Sequence, residues 1–116
     1  MMVKKVEQIA MLFDFYGRLL TDKQQEMLAL YYEQDLSLGE IAEEYNISRQ
    51  AVRDTVKRAE KILEEYEEKL GLVKKFDLER DKLARILNML EEQKDDPELI
   101  YKIRKTVNEI VEIQND

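Results

Sequence analysis

The sequence predicts an all-α protein: a helical bundle that contains a helix-turn-helix and continues into C-terminal helices. Three glycines and one proline occur among 116 residues, so little interrupts a helix-forming composition. Apolar residues make up 44% and charged residues 39%, a balance typical of amphipathic helices. The third observation is the segment Ser37 to Lys61, where helix caps, a turn residue and core spacing agree.

Two helices are predicted before that segment. The first covers Lys5 to Leu20 and is apolar on more than one face, which indicates burial on two sides or pairing with another chain on one. Gly17 lies inside it and indicates close packing. Thr21 is expected to cap the second helix, Asp22 to Tyr32, and a short polar turn follows over Glu33 to Leu36.

The helix-turn-helix is predicted from its caps and spacing. Ser37 with Glu40 three positions later forms a capping box. Asn46 occupies the turn, where a positive φ is expected and asparagine is the best substitute for glycine. Ser48 then caps the second helix of the motif. The apolar residues at helical spacing across the motif are Ile41, Ala42, Tyr45, Ile47, Ala51, Val52, Val56 and Ala59.

Further helices are predicted towards the C-terminus. The second helix of the motif meets no stop signal before Gly71, which we expect to cap it. Another helix is predicted from about Asp77 to Glu92, followed by a polar break over Gln93 to Asp96. Asp96 and Pro97 form an expected N-cap and first position of a final helix, Glu98 to about Ile113. The residues expected to face inward are Leu78, Leu83, Ile86, Leu87, Leu90, Leu99, Ile100, Ile103, Val107, Ile110 and Val111.

We expect two regions from this pattern. Residues 1–76 form a helix-turn-helix core with its N-terminal helix, and residues 77–116 form a helical extension packed on the same domain or on a dimer partner. The terminal helices carry more apolar side chains than so small a chain can bury by itself, so homodimerisation is the expected outlet and a heterologous partner groove the second. The residues behind this expectation are Leu12, Phe15, Leu19, Val107, Ile110, Val111 and Ile113.

The charge distribution identifies one candidate binding surface. The chain carries a net charge of −7, yet Ser48 to Lys61 is locally basic between acidic flanks. In a DNA-binding helix-turn-helix the outward side of this helix lies in the major groove. The acidic flanks reduce the phosphate contacts that dominate affinity for a duplex. Alternatively, these cations only pair with neighbouring glutamates. The candidate residues are Arg49, Gln50, Arg53, Lys57, Arg58 and Lys61.

Several function classes are excluded or disfavoured. Cysteine and histidine are both absent, which excludes disulfides, Cys/His zinc sites and Cys or His nucleophile–base chemistry. No glycine-rich phosphate loop occurs, so neither an enzyme nor a cofactor is expected. The longest apolar run, Ile9 to Phe13, is too short for a membrane span, and no leader pattern precedes it. We therefore expect a cytoplasmic protein without membrane insertion.

Two resemblances extend this interpretation. The segment from Leu20 to Leu70, LTDKQQEMLALYYEQDLSLGEIAEEYNISRQAVRDTVKRAEKILEEYEEKL, resembles the promoter-recognising C-terminal domain of bacterial sigma factors. The phrases LFDFYGRLLT, LYYEQDLSLGEIAEEY and SRQAV are more specifically similar to the YlxM family of small bacterial proteins, over about Val6 to Phe76. That resemblance implies a cytosolic bacterial protein encoded beside the GTPase of the signal recognition particle, with a regulatory part in that pathway.

Two functions follow as hypotheses. The first is a non-catalytic regulator that binds the signal recognition particle through its GTPase Ffh, its RNA, or both. The second is a sequence-specific DNA-binding transcriptional regulator that uses Ser48 to Lys61 as the recognition helix of a homodimer. We favour the first, because of the resemblance and because the acidic flanks weaken the case for free DNA.

Overall fold

The computed structural model describes residues 2–92 and 96–115, and it confirms the all-α prediction. The described residues form six α-helices and no strand. The helices are α1 (Met2–Tyr16), α2 (Asp22–Leu28), α3 (Leu38–Tyr45), α4 (Arg49–Leu70), α5 (Leu72–Glu92) and α6 (Pro97–Asn115). A 3-10 turn, Gly17–Leu19, follows α1, and a wide π-helical turn, Ala29–Glu33, follows α2.

The chain divides into two compact units at Gly71. The N-terminal unit contains α1 to α4, and the C-terminal unit contains α5 and α6. The sequence analysis placed this division between Phe76 and Asp77. The packing of the extension on the same domain or on a partner stays a prediction.

The core of the N-terminal unit forms where α4 packs against α1, α2 and α3. Each helix contributes side chains that are almost inaccessible to solvent, because apolar residues at 3.6 spacing form one stripe per helix. The largest of these fully buried residues are Tyr16, Met27, Leu28, Ile41, Leu63 and Val52. This packing fixes the rotation of α4 about its own axis.

The first two predicted helices are shorter in the structure. The first ends at Tyr16 rather than Leu20, because the chain tightens into the 3-10 turn and becomes extended at Leu20 before the Thr21 cap. Gly17 is buried as its close-packing prediction requires, since an added Cβ would lie 2.4 Å from the Phe13 ring. Thr21 caps α2 in a full capping box with Gln24.

The second helix is α-helical to Leu28 and continues as a π-helical turn to Glu33, one residue beyond its predicted end at Tyr32. The backbone widens into the π-helical turn, with Gln34 N–H donating to Ala29 O at 3.1 Å and Leu36 N–H donating to Leu30 O at 3.0 Å. Asp35 then takes a left-handed conformation with φ 57°. The polar turn predicted from Glu33 therefore begins one residue later, at Gln34.

The predicted helix-turn-helix is confirmed in its caps and its turn. The Ser37 hydroxyl accepts from Glu40 N–H at 3.1 Å, and Glu40 accepts from Ser37 N–H at 3.0 Å. Asn46 is left-handed, with φ 55°, and Ser48 accepts from Ala51 N–H at 3.0 Å. Gly71 ends α4 with φ 62°. The local sequence thus determines both ends of α3 and of α4.

The C-terminal unit differs more from its prediction. Helix α5 begins at Leu72 rather than about Asp77, because no helix breaker follows Gly71. All four leucines expected to face inward on α5 are exposed: Leu78, Leu83, Leu87 and Leu90. On α6, Ile100, Val107 and Val111 are also exposed. A two-helix hairpin has a single seam, so each helix buries one narrow stripe and leaves its neighbouring apolar stripe open.

The start of α6 agrees with its prediction. The Asp96 carboxylate accepts from Glu98 N–H at 3.0 Å, and Pro97 is the first helical residue. Residues 93–95 of the predicted polar break lie outside the described residues. The hairpin is pinned by an ion pair between Lys82 on α5 and Glu109 on α6.

Candidate nucleic-acid interface

One side of α4 is buried, and the opposite side carries the predicted binding residues. Val52, Val56, Ala59 and Leu63 are buried, while the half-buried Ala51 lies at the edge of this stripe. Because the core fixes the rotation of α4, the side chains opposite this stripe are held towards solvent. All six predicted binding residues are exposed: Arg49, Gln50, Arg53, Lys57, Arg58 and Lys61.

Four of the six form a single line along the helix. Arg49, Arg53, Lys57 and Lys61 follow one another at i, i+4 spacing, so each lies beside the next on one surface. We call these four residues the basic row. Four cations at this spacing repel one another, so an anionic ligand that bridges them gains affinity from relief of that repulsion.

The remaining two predicted residues lie beside the basic row. Gln50 and Arg58 are separated by Asp54, one turn from each. The Gln50 side-chain amide donates to the Asp54 carboxylate at 3.0 Å. This contact occupies one donor of Gln50 and places a negative charge beside the row.

Arg49 packs against a glycine that was not singled out from the sequence. A Cβ built on Gly39 would lie 2.9 Å from Arg49 Nε and 3.1 Å from a terminal guanidinium nitrogen. The Arg49 guanidinium therefore lies over the first turn of α3, and a larger side chain at position 39 would displace it. The available signal was a glycine inside a capped helix, where its low helix propensity needs a reason.

A cleft of about 730 Å³ opens beside the basic row. Arg53 and Lys57 line it from α4, and Lys5 lines it from α1. The rings of Tyr31 and Tyr32 form an aromatic wall, with centroids 4.9 Å apart in an edge-to-face arrangement. This cleft was not predicted, because the π-helical turn that carries both tyrosines has no recognised sequence signal.

Glu60 is a buried acidic residue of α4 that lines the same cleft as Arg53 and Lys57. Its carboxylate accepts a hydrogen bond from the Tyr32 hydroxyl, and Lys5 Nζ lies 3.9 Å from Glu60 Oε1. Burial and the hydrogen bond to this carboxylate together raise the pKa of Tyr32 well above its ordinary value. Glu60 therefore places an acidic side chain in the cleft beside the basic row.

Acidic side chains surround this surface. Glu40 lines the cleft, and the hydrogen bonds from the backbone N–H and hydroxyl of Ser37 lower the pKa of its carboxyl, which keeps it ionised. The other exposed acids of the flanks are Glu33, Asp35, Glu43, Glu44, Glu64, Glu65 and Glu68. The positive field is therefore confined to a narrow strip, which suits a compact anionic ligand better than a long phosphate backbone.

The described part of the chain contains neither a membrane-spanning helix nor a metal-binding cluster. Over residues 2–92 and 96–115, no helix is long and apolar enough to cross a membrane. Within the same ranges, no group of three or more acidic side chains is placed to hold a metal ion.

Comparison with known proteins identifies relatives over nearly the whole chain. A family model described as "Putative helix-turn-helix protein, YlxM / p13 like" matches residues 3–112. A UPF0122 protein of Desulforamulus reducens is 49% identical over 116 residues, which cover 98% of this chain and 99% of the relative. A UPF0122 protein of Thermoanaerobacter sp. strain X514 is 49% identical over 108 residues, which cover 90% of this chain and 92% of the relative. A UPF0122 protein of Bacillus cereus strain AH187 is 51% identical over 92 residues, which cover 79% of this chain and 84% of the relative.

Proposed function

The chain belongs to the YlxM/p13-like family of helix-turn-helix proteins, and from that premise we propose that it is a non-catalytic regulator that binds structured RNA through the basic row. The observation that carries this proposal is the basic row itself: Arg49, Arg53, Lys57 and Lys61 are exposed on a helix whose rotation the core fixes. The helix holds the four backbone positions at a fixed spacing, so a phosphate ligand meets all four cations together, and binding then orders their long, exposed side chains.

The signal recognition particle is the proposed target. The resemblance to the YlxM family motivates this choice, with binding to the RNA of the particle, to its GTPase Ffh, or to both. The charge pattern supports a compact site on such a particle. The acidic surface on either side of the short positive strip repels the phosphates of a long duplex, whereas a compact anionic site contacts only the strip. The protein would act in the cytoplasm, as a homodimer that presents two basic rows.

A specific duplex is the second candidate ligand. It is favoured by the form of the motif, in which Asn46 and Ser48 deliver the first turns of α4 to solvent as a recognition helix requires. Arg49 and Arg53 lie one turn apart, within reach of one groove. In this alternative the protein is a transcriptional regulator, and base contacts rather than phosphate contacts supply most of the discrimination.

Direct titration separates the two candidates. The purified protein would be titrated at about 0.15 M salt with reconstituted particle, Ffh alone, RNA alone and a promoter-region duplex. Saturable binding to the RNA or to Ffh, with none to the duplex, supports the particle as target. Tight duplex binding without particle binding would replace this proposal with the transcriptional one.

The basic row is tested by matched charge removal on one helix. We expect Arg53→Ala with Lys57→Ala to weaken RNA binding by about tenfold or more and to reduce the salt dependence by about two phosphate contacts. The matched control compares single variants: Lys57→Ala against Lys69→Ala, since Lys69 is exposed on the same helix beyond the row and each variant removes one positive charge. Equal losses in these two single variants would mean that net charge, not the row, determines affinity.

A further inference from the structure

The cleft beside the basic row has an exposed rim and a buried interior. Arg53 and Lys57 are exposed, whereas Glu60, three residues after Lys57 on the same helix, is 7% exposed. Tyr31 and Tyr32 are half-buried. Further apolar surface comes from Val6, Leu36, Leu38 and Val56. The cleft therefore offers cations at its rim, aromatic and apolar surface in its walls, and a carboxylate in its interior.

The protein satisfies the Glu60 carboxylate only in part. Its side chain is 9% exposed, Oε1 accepts a hydrogen bond from the Tyr32 hydroxyl, and Lys5 Nζ lies 3.9 Å from the same oxygen. Within the described part of the chain, no group donates a hydrogen bond to Oε2. A carboxylate accepts at about four lone-pair positions, and burial is costly when they are left empty. Glu60 therefore presents acceptor positions to a ligand that donates hydrogen bonds.

The backbone of the aromatic wall is unusual. Tyr31 and Tyr32 lie in the π-helical turn Ala29–Glu33, and Asp35, which also lines the cleft, has φ 57°. Both conformations are uncommon, and π-helical turns occur frequently at functional sites. Their combination at one wall favours a binding role for that wall over packing alone.

The cations at the rim are available to an anion. Over residues 2–92 and 96–115, neither Arg53 nor Lys57 forms an ion pair with an acidic side chain. Asp35 and Glu40 are exposed in the lining of the same cleft, so its charges balance. These acids repel a run of phosphates, and the rim therefore suits a single phosphate.

We propose that the cleft binds one guanine nucleotide. The phosphate lies on Arg53 and Lys57, the base lies against the tyrosine wall, and its Watson–Crick edge donates to Glu60. Guanine presents N1–H and its 2-amino group side by side, a donor pair that matches a carboxylate as the fork of arginine does. Adenine and cytosine place an acceptor nitrogen beside their amino group, and uracil has one N–H between two carbonyls, so a carboxylate selects guanine over all three.

Such a nucleotide has two sources, an unpaired residue of RNA or the free nucleotide. The RNA source deepens the proposed function and rests on it, because Arg53 and Lys57 belong both to the basic row and to the cleft. An RNA held by the row would insert one base, which must be unpaired because pairing covers its Watson–Crick edge. The free nucleotide makes the same contacts without RNA, so separate experiments distinguish the sources.

Titration with guanosine monophosphate tests the free nucleotide. In amide NMR spectra of the isotope-labelled full chain, we expect saturable shifts centred on Tyr31, Tyr32 and Glu60. Inosine monophosphate lacks the 2-amino group and should bind about tenfold more weakly, because one hydrogen bond to a charged group is lost. Equal binding of both nucleotides and of inorganic phosphate would leave only a phosphate site and would overturn the assignment of the base.

Two RNA hairpins that differ in one base test the RNA source. One carries a single unpaired guanine in its loop, and the other carries inosine at that position. Fluorescence anisotropy should show about tenfold tighter binding of the guanine hairpin. Equal affinities would exclude the RNA source. Together with equal binding of the two free nucleotides, they would overturn the whole inference.

Tyr31 provides a matched pair of variants for the wall. Tyr31→Leu removes the ring, whereas Tyr31→Phe keeps it. Because base–aromatic stacking requires the ring, the leucine variant should bind guanosine monophosphate and the guanine hairpin about tenfold more weakly than the phenylalanine variant. Equal affinities of the two variants would contradict stacking on this wall.

Glu60→Gln tests the selection of guanine. A carboxamide accepts at one position and donates at the other, so it cannot receive both donors of guanine. The variant should lose the preference for guanine over inosine and keep the phosphate contacts. A preference that persists would exclude Glu60 as the selecting group. Thermal unfolding checks that the variant folds, and the Tyr31 pair tests the cleft independently if it does not.

The inference and the proposed function fail separately. RNA binding that Arg53→Ala with Lys57→Ala weakens, but that is equal for the guanine and inosine hairpins, would keep the basic row as the RNA site and exclude an inserted base. Selective binding of guanosine monophosphate without any RNA binding would overturn the proposed function and keep the nucleotide cleft.

Discussion

The two units contain helices of similar amphipathic character but differ in what those helices bury. Every fully buried apolar residue among the described residues lies in the N-terminal unit, from Ile9 to Leu63. Among the described residues of the C-terminal hairpin, the polar Thr106 is the one buried residue. Four crossing helices enclose a volume, whereas two helices enclose only a seam. The difference teaches that an apolar stripe on a helix predicts burial only when enough other helices pack around it to cover the stripe.

The largest test of this contrast compares one leucine from each unit. Leu63 is 0% exposed, so Leu63→Ala should lower the free energy of unfolding by about 2–5 kcal/mol, through lost burial and a cavity. Leu87→Ala, in the chain at a concentration where it is monomeric, should cost well under about 1 kcal/mol, since no cavity forms. Urea unfolding followed by circular dichroism measures both. Similar costs at the two positions would show that the hairpin has a core after all.

A test of intermediate size concerns the turn of the helix-turn-helix. Asn46 has φ 55° and ψ 47°, a conformation that costs a β-branched residue about 1–2 kcal/mol. Asn46→Val should therefore destabilise the N-terminal unit by that amount, while Asn46→Gly should leave its stability nearly unchanged. Thermal unfolding of both variants gives the comparison. A valine variant as stable as the glycine variant would mean that the turn relaxes without cost.

The smallest expected effects are in pH, and they have opposite signs in the two units. The hydrogen bond to Glu26 raises the pKa of Tyr45 from 10.0 to about 12. A raised pKa in the folded state means that this contribution is complete below pH 10 and is lost as the pH rises towards 12. Tyr45→Phe should remove that alkaline loss from the N-terminal unit, and an unchanged alkaline profile would exclude Tyr45 as its source.

In the hairpin the group with a shifted pKa is the Glu109 carboxyl, which titrates at acid pH. The hydrogen bond from Lys82 lowers the pKa of the Glu109 carboxyl below its ordinary value of 4.5. A lowered pKa in the folded state means that the contribution is present above 4.5 and is lost as the pH falls below it. Glu109→Gln should flatten the acid limb of hairpin unfolding, read from amide exchange of α5 and α6. An acid limb that persists in this variant would assign it to other carboxylates.

The features that sequence predicted well are set by neighbours along the chain. The capping boxes at Thr21 and Ser37, the left-handed Asn46 and the terminal Gly71 each satisfy backbone groups within a few residues. The exposure of the basic row was predictable for the same reason, because helical geometry places Arg53 and Lys57 about 100° around the helix from Val52 and Val56, outside the buried stripe.

The features that sequence missed depend on contacts between distant residues. The π-helical turn after Leu28 places Tyr32 against Glu60, 28 positions away. Gly39 lies in contact with the guanidinium of Arg49 on another helix. On α5, periodicity identified two adjacent apolar stripes but could not decide which one α6 would cover.

The sequence by itself determined the helical class, the helix-turn-helix, its caps and the basic composition of α4, because these follow from local hydrogen bonding and from 3.6-residue periodicity. Tertiary structure alone decided that Glu60 turns inward, that a cleft opens beside the basic row and that the leucines of α5 remain exposed. Those outcomes depend on which surfaces meet, and a surface is covered only when packing brings a partner of matching shape to it.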